Sequence, residues 1–348
     1  LAVRPLRNGL FAACLAAAPI MGSGHVSAQT IKDDFTTDEI SARNWFVCRR
    51  PENAFKIVQA EGARFRAVEM TVHPREDLRV FALLLAHPGC KTDGGVFEPE
   101  KNDERAELWE ADDVRLGLGT EVWYRFSFFV DPDLPASAER LVIGQWKQNN
   151  SATGDSPVIA QRFNGRAFSI TVEQDNTAPD RARDDRQCRI WIAVDRNAVK
   201  PPGGSEGHSM MLAGPGRPEA STPPAELPSI GHDELDVSHG PTARIDGHET
   251  PAPCRRDVEV STLGFLPDAF GRWVTMLYHI HLDGASSLVE VWADGQPVAT
   301  VKGRIGFAAS GPGKQYFKFG PYRKHQTYSS YARLAHYARG FRRQDVEP

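Results

Sequence analysis

Three short segments, Arg105-Ala106-Glu107-Leu108, Gln145-Trp146-Lys147 and Tyr316-Phe317-Lys318-Phe319-Gly320-Pro321-Tyr322, set polar or ionisable residues at alternate positions with apolar ones between. Side chains alternate faces along a β-strand, so Arg105 with Glu107, Gln145 with Lys147, and Lys318 with Tyr322 would each project from one face. Such a set suits an anionic, hydroxyl-rich ligand. Arg and Lys pair with carboxylate or sulfate, Gln and Glu hold sugar hydroxyls, and Tyr can move a proton. Ordinary amphipathic strands with solvated polar faces would give the same spacing.

The residues must be held by a fold, and composition bounds it. The 348 residues carry 41 Lys and Arg against 45 Asp and Glu, a formal charge of -4, and 41% of them are hydrophobic. That is apolar material enough for a core in one large all-β domain or two smaller ones. The weak negative charge argues against a nucleic-acid partner, so any attraction for an anionic substrate must come from a local cluster.

Residues 1–28 read as an export signal: Arg4 and Arg7, an apolar run from Leu10 to Ile20, and Val26-Ser27-Ala28 as a small-residue cleavage site. A lipoprotein reading of Cys14 is weaker, because the apolar stretch continues past it. No other segment has the ~20 apolar residues of a membrane helix. The expected location is periplasmic or secreted, with no membrane association after the signal is removed. Cys48, Cys90, Cys188 and Cys254 then remain, an even number in an exported chain. Two disulfides are expected, with Cys48 to Cys90 and Cys188 to Cys254 the favoured pairing of three possible ones.

Strand-like runs recur over 65–72, 78–86, 121–130, 141–147, 167–173, 189–194, 273–282, 288–292 and 315–322, and Asp294-Gly295 is a hairpin turn between two of them. Long amphipathic helices are missing. Many short strands in one chain predict an all-β jelly-roll β-sandwich, concanavalin-like, of two antiparallel sheets with a concave substrate groove. Residues 29–348 are read as a single domain, with a Pro/Gly-rich insertion at about 196–256. The tail over 328–343 fits a helix or a last strand, with the strand preferred.

Competing motifs lose on context. Gly203-Gly204-Ser205-Glu206-Gly207 matches a serine hydrolase elbow in letters only, since it lies in the Pro/Gly-rich insertion and not between a strand and a helix. His279-Ile280-His281-Leu282-Asp283 puts two imidazoles on one strand face but has no further ligand set for zinc. Its more useful reading is as groove lining, with Tyr278, Ile280 and Leu282 toward the core. A glycoside hydrolase would need paired carboxylates on one face, and Glu107 and Glu110 face differently.

In order, the three polar segments resemble the signature strands of jelly-roll polysaccharide lyases, most closely the heparin lyase I-like family, with kinship to alginate and glucuronan lyases. The resemblance spans roughly 33–343. It implies that Tyr322 is the catalytic tyrosine and that Lys318 and Arg105 contact the acidic sugar. Relatives commonly have Gln-x-His in the middle segment, where this chain has Lys147. Lysine neutralises a carboxylate well but is a poor base at neutral pH unless its pKa of ~10.4 is strongly lowered.

The implied activity is β-elimination on a uronate-containing anionic polysaccharide. Removing the C5 proton beside a carboxylate builds an enolate-like dianion, which Arg105, Gln145 and Lys147 would offset. Tyr322, with Lys318 and Arg323 as cationic neighbours, would serve as base and then as acid. Glu107, Lys318, Arg323, His279 and His281 are the expected substrate contacts. No metal or organic cofactor is called for, and a monomer is expected. A non-catalytic carbohydrate-binding protein of the same fold is the alternative, kept open by Lys147, and a glycoside hydrolase is a third.

Overall fold

The computed structural model describes residues 29–48, 54–60, 64–74, 103–136, 140–149, 156–175, 187–197, 243–245, 248–250, 257–309 and 311–348. The strands in the first part of the chain are β1 (Ile31–Asp33), β2 (Trp45–Cys48), β3 (Ala54–Gln59), β4 (Arg66–Val72), β5 (Asp103–Arg105), β6 (Glu107–Glu110), β7 (Leu116–Gly117) and β8 (Glu121–Val130). Next come β9 (Leu141–Gln148), β10 (Ile159–Asn164), β11 (Ala167–Asp175), β12 (Gln187–Val194), β13 (Ala243–Ile245) and β14 (His248–Thr250). The last are β15 (Val258–Thr262), β16 (Trp273–His281), β17 (Ser287–Ala293), β18 (Gln296–Gly303), β19 (Lys314–Lys324) and β20 (Ser330–Gly340), followed by a helical turn at Arg343–Val346.

Two nine-stranded antiparallel sheets account for all but the β13–β14 hairpin. The first runs β15-β18-β17-β16-β8-β20-β4-β3 with β1 on β20, and the second runs β12-β11-β10-β9-β19-β6-β2 with β5 and β7 on β19. The chain crosses between sheets repeatedly, after β8, β12, β18 and β19 among other places, so neighbours in space are distant in sequence. This is the jelly-roll sandwich of two antiparallel sheets.

Strand alternation explains what fills the space between them. Val122, Tyr124, Phe126, Phe128 and Val130 of β8 point inward, as do Tyr278 and Ile280 of β16, and Leu282 just beyond it is buried with them. From the second sheet come Trp146, Phe317 and Phe319. Phe126 lies 5.0 Å from Phe317 and 6.0 Å from Tyr278, ring centre to ring centre. Truncating such a ring to Ala costs about 3–5 kcal/mol.

A charged network around Glu110 is buried between the layers. Glu110 of β6 accepts hydrogen bonds from Tyr337 Oη and Arg339 Nη1 of β20, both 2.6 Å, and from the backbone N–H of Phe317 in β19 at 2.8 Å. Burial, and then the Glu110 charge, push the Tyr337 and Tyr124 phenols well above their usual range. Glu110 thereby pins β19 from below, on the side opposite its polar residues.

The Asp294-Gly295 turn joins β17 to β18 with both residues at positive φ, 49° and 79°, as a primed hairpin turn requires. The tail is a strand, β20. Several strands were not visible in the sequence, β10 and β18 among them. The 78–86 run, the signal segment, Cys90 and Cys254, and nearly all of the 196–256 insertion lie outside the described residues. Both expected disulfides go with them.

Candidate active site

β19 is the spine of the site because it is hydrogen-bonded between β9 and the β5–β6 segment. Its register sets Lys318 beside Gln145, Tyr316 beside Lys147 and Tyr322 beside Val142 on one flank, with Tyr322 beside Arg105 and Lys318 beside Trp109 on the other. Arg105, Glu107, Gln145, Lys147, Lys318 and Tyr322 therefore share the outer face of the second sheet. Ala106, Leu108, Trp146, Phe317 and Phe319 go into the core.

The strands depart from regular pairing at one point. Phe319 pairs with Gly144 and Tyr322 with Val142, so Gly320 and Pro321 bulge out of register. Gly320 has φ 132°, and a Cβ there would stand 2.1 Å from the Ala106 carbonyl oxygen and 2.9 Å from Glu107 Cα. Only glycine allows β19 to approach the Arg105–Glu107 segment this closely. Ala106 N–H in turn donates to the Pro321 carbonyl at 2.9 Å.

Polar contacts then order the face. Gln145 Nε2 donates to Glu107 Oε1 at 2.6 Å, Trp109 Nε1 donates to Glu107 Oε2 at 3.3 Å, and Arg105 Nη1 stands 4.0 Å from the same oxygen. Lys318 Nζ lies over the Trp109 ring, 3.4 Å from its centre, and Arg115 covers Tyr316 at 3.8 Å. The half-buried Tyr322 ring carries two guanidiniums, Arg105 at 4.6 Å and Arg140 at 5.0 Å. Two cations thus flank one phenol ring.

Cations continue across β10 to β12. Arg162 Nη2 and Arg189 Nε both donate to Glu173 Oε1, at 2.8 and 2.6 Å, and Arg162 Nε donates to Thr171 Oγ1 at 2.9 Å. Burial, and then the charge of Arg189, lower the Arg162 guanidinium to about 9, with Arg140 adding to the effect. Burial alone would raise the Glu173 carboxyl, but Arg189 and Arg162 outweigh it and hold it below the usual range. Arg115, Arg140, Arg162, Arg189, Trp109 and Trp191 were all missed in the sequence.

Three expected contacts lie elsewhere. Arg323 alternates to the face opposite Tyr322, where it is buried and donates to Glu104 at 2.8 Å and to Ser330 Oγ at 2.8 Å. His279 and His281 belong to β16 of the first sheet and project from its outer face, across the whole sandwich from Tyr322. His279 is held between Glu121 and Glu290, 2.7 Å each, and stacks on Trp123 at 4.2 Å. Alternation placed Tyr278, Ile280 and Leu282 correctly, but which sheet received the strand is a non-local fact. Among the described residues, the strands of the second sheet contain no histidine. Among the same residues no cluster of three or more His, Cys, Asp or Glu is arranged to hold a metal ion.

A family model described as polysaccharide lyase matches residues 67–337. The chain belongs to the polysaccharide lyase family. It is thus a polysaccharide-cleaving lyase with a polysaccharide as substrate. In fold the lyase is similar to an endo-β-1,4-glucuronan lyase from the fungus Trichoderma reesei, at 11% identity and TM-score 0.48, covering 89% of this chain and 96% of that one. It is also similar to an alginate lyase from Klebsiella pneumoniae, at 13% identity and TM-score 0.42, covering 85% and 87%. An alginate lyase from Pseudomonas aeruginosa gives 10% identity and TM-score 0.39, covering 86% and 98%. These likenesses concern fold alone. No curated protein matches the sequence.

Proposed function

We propose that this lyase cleaves a uronate-containing polysaccharide by β-elimination, with Tyr322 moving the proton. The observation that carries the reading is the setting of Tyr322, whose ring packs against Arg105 and Arg140 beside the Gln145–Glu107 pair. In this scheme the phenolate oxygen of Tyr322 takes the C5 proton. The freed electron pair forms the C4–C5 double bond as the C4–O bond breaks, and the departing oxygen receives the proton back from Tyr322. Arg105, Gln145 and Lys147 offset the charge that grows on the carboxylate.

Glu107 has a positioning task. It fixes the amide of Gln145 by accepting from Nε2, and so sets which way Gln145 presents its remaining groups. With Lys147 where relatives commonly have His, the tyrosine acts as base as well as acid. The order of the three polar motifs supports the heparin lyase I-like group, and the signal-like first segment supports export to the periplasm or beyond. Among the described residues no helix is long and apolar enough to cross a membrane.

Incubation with a panel of acidic polysaccharides tests the proposal. Growth of the ultraviolet absorbance of an unsaturated uronate on at least one of them supports it. New reducing ends without that absorbance defeat it.

A further inference from the structure

We propose that Arg125 and Trp292, on the outer face of the first sheet, form a second, non-catalytic site that holds an acidic stretch of the polysaccharide, across the sandwich from Tyr322. The inference goes beyond the elimination reading: it shares with that reading an anionic polymer, and it needs no cleavage.

Alternation and register build the site. Tyr124 and Phe126 point into the core, so Arg125 between them points out, and its row reads Trp292, Leu277, Arg125, Ala338 across β17, β16, β8 and β20. At ~4.8 Å per strand, Trp292 and Arg125 stand about 10 Å apart with Leu277 between them. Both are half-buried, and both line one cavity of about 520 Å³ whose other walls include Thr275, Asp294, Arg343 and Glu347. That volume lies inside the roughly 300–1,000 Å³ of small-ligand sites.

The charges lining the cavity leave one cation over. Arg343 pairs with Glu347 at 2.7 Å, and Asp294 pairs with Arg272 and accepts from the Thr275 backbone N–H at 2.9 Å. Glu121 and Glu290 lie further along the strands, where both engage His279. Arg125, by contrast, has neither a hydrogen bond nor an ion pair among the described residues. A half-buried guanidinium has given up part of its hydration, and a carboxylate meets its fork with two parallel bonds. Trp292 supplies apolar wall for the sugar that carries that carboxylate. The chain's substrate is a polysaccharide, and an acidic one complements the unpaired cation. A segment held here keeps the rest of the polymer at high local concentration around the groove on the opposite face.

The test labels the tryptophans with fluorine and follows their magnetic resonance signals as di- and tetrasaccharides of mannuronate, glucuronate and galacturonate are added to the full chain. Trp292→Phe and Trp109→Phe identify the signals that report the first-sheet cavity and the Tyr322 face. Trp292 should titrate with at least one tetrauronate. Arg125→Gln should weaken that titration by roughly tenfold, as expected for a lost charge-assisted contact, and leave the Trp109 titration within about twofold. Since the Arg125 guanidinium bonds to no described residue, its loss leaves the fold intact. A Trp292 signal unmoved by every acidic probe at millimolar concentration, an unchanged titration in Arg125→Gln, an equal loss at Trp109, or an equal response to neutral cellotetraose would each overturn the site. If no probe yields an unsaturated product while Trp292 still titrates, the elimination reading fails and this site stands.

Discussion

Tyr322→Phe removes one oxygen and keeps the ring. The two guanidiniums lie over the ring, 4.6 and 5.0 Å from its centre, so their cation–π attraction, about 0.5–2 kcal/mol each, survives in the variant. The fold should be unaffected, because Tyr322 is only half-buried and its backbone pairing with Val142 and Arg105 is independent of the phenol. The chemical step loses its proton carrier. A positioned acid or base contributes about 10²–10⁴ in rate, which at 1.36 kcal/mol per decade is roughly 2.7–5.4 kcal/mol on the barrier. The assay is kcat and KM from product absorbance, with the dissociation constant of the same polymer measured beside them. A fall in kcat of at least about 10², with affinity unchanged, is the expected result. A kcat within about tenfold of wild type, or a loss confined to KM, would refute the role of Tyr322.

Lys147→Ala should lower kcat and raise KM together, by about 1.5–3 kcal/mol in kcat/KM, as expected for a lost charge-assisted contact; Lys147→His should recover part of the rate, most of all below the histidine pKa of ~6.5. Gly320→Ala forces a Cβ against the Ala106 carbonyl at φ 132°, so its melting temperature and kcat should both fall, the backbone strain alone costing about 1–3 kcal/mol. Gly295→Ala, at a turn with nothing within 4 Å of the added carbon, should leave kcat intact. For Glu173 the carboxyl is depressed in the fold, so its stabilisation is full above the unfolded value of ~4.3 and is lost as pH falls through the lower folded value. Glu173→Gln should therefore cost about 3–5 kcal/mol near neutral pH, by denaturant titration, and that cost should shrink in acid.

Local alternation made the core of the site legible. Arg105 with Glu107, Gln145 with Lys147, and Lys318 with Tyr322 needed only a period of two to share faces, and β19 lying between β9 and β5–β6 then merged the three pairs. The cations of β10 to β12 escaped for a physical reason. β10 reads Ile159-Ala160-Gln161-Arg162-Phe163-Asn164, and its core-facing Gln161 breaks the apolar pattern. That glutamine is buried because its Nε2 donates to Tyr278 Oη at 2.9 Å and because Gly144 leaves room beside it. Arg189 and Trp191 do alternate in sequence, but nothing local says that β12 joins this sheet. The same lack of local information sent His279 and His281 to the wrong side of the sandwich, while Arg323 fell on the wrong face by being adjacent to Tyr322 in sequence.

The central claim is the bond-breaking chemistry, and the masses of the products test it most directly. A saturated oligouronate of defined length, digested to completion and analysed by mass spectrometry, should yield fragments whose masses sum to that of the starting oligosaccharide. For each bond cut, one fragment should be lighter by one water than the corresponding saturated sugar and should absorb in the ultraviolet. Fragments that together gain one water per bond cut, with no unsaturated species, would contradict β-elimination and mark the reaction as hydrolysis.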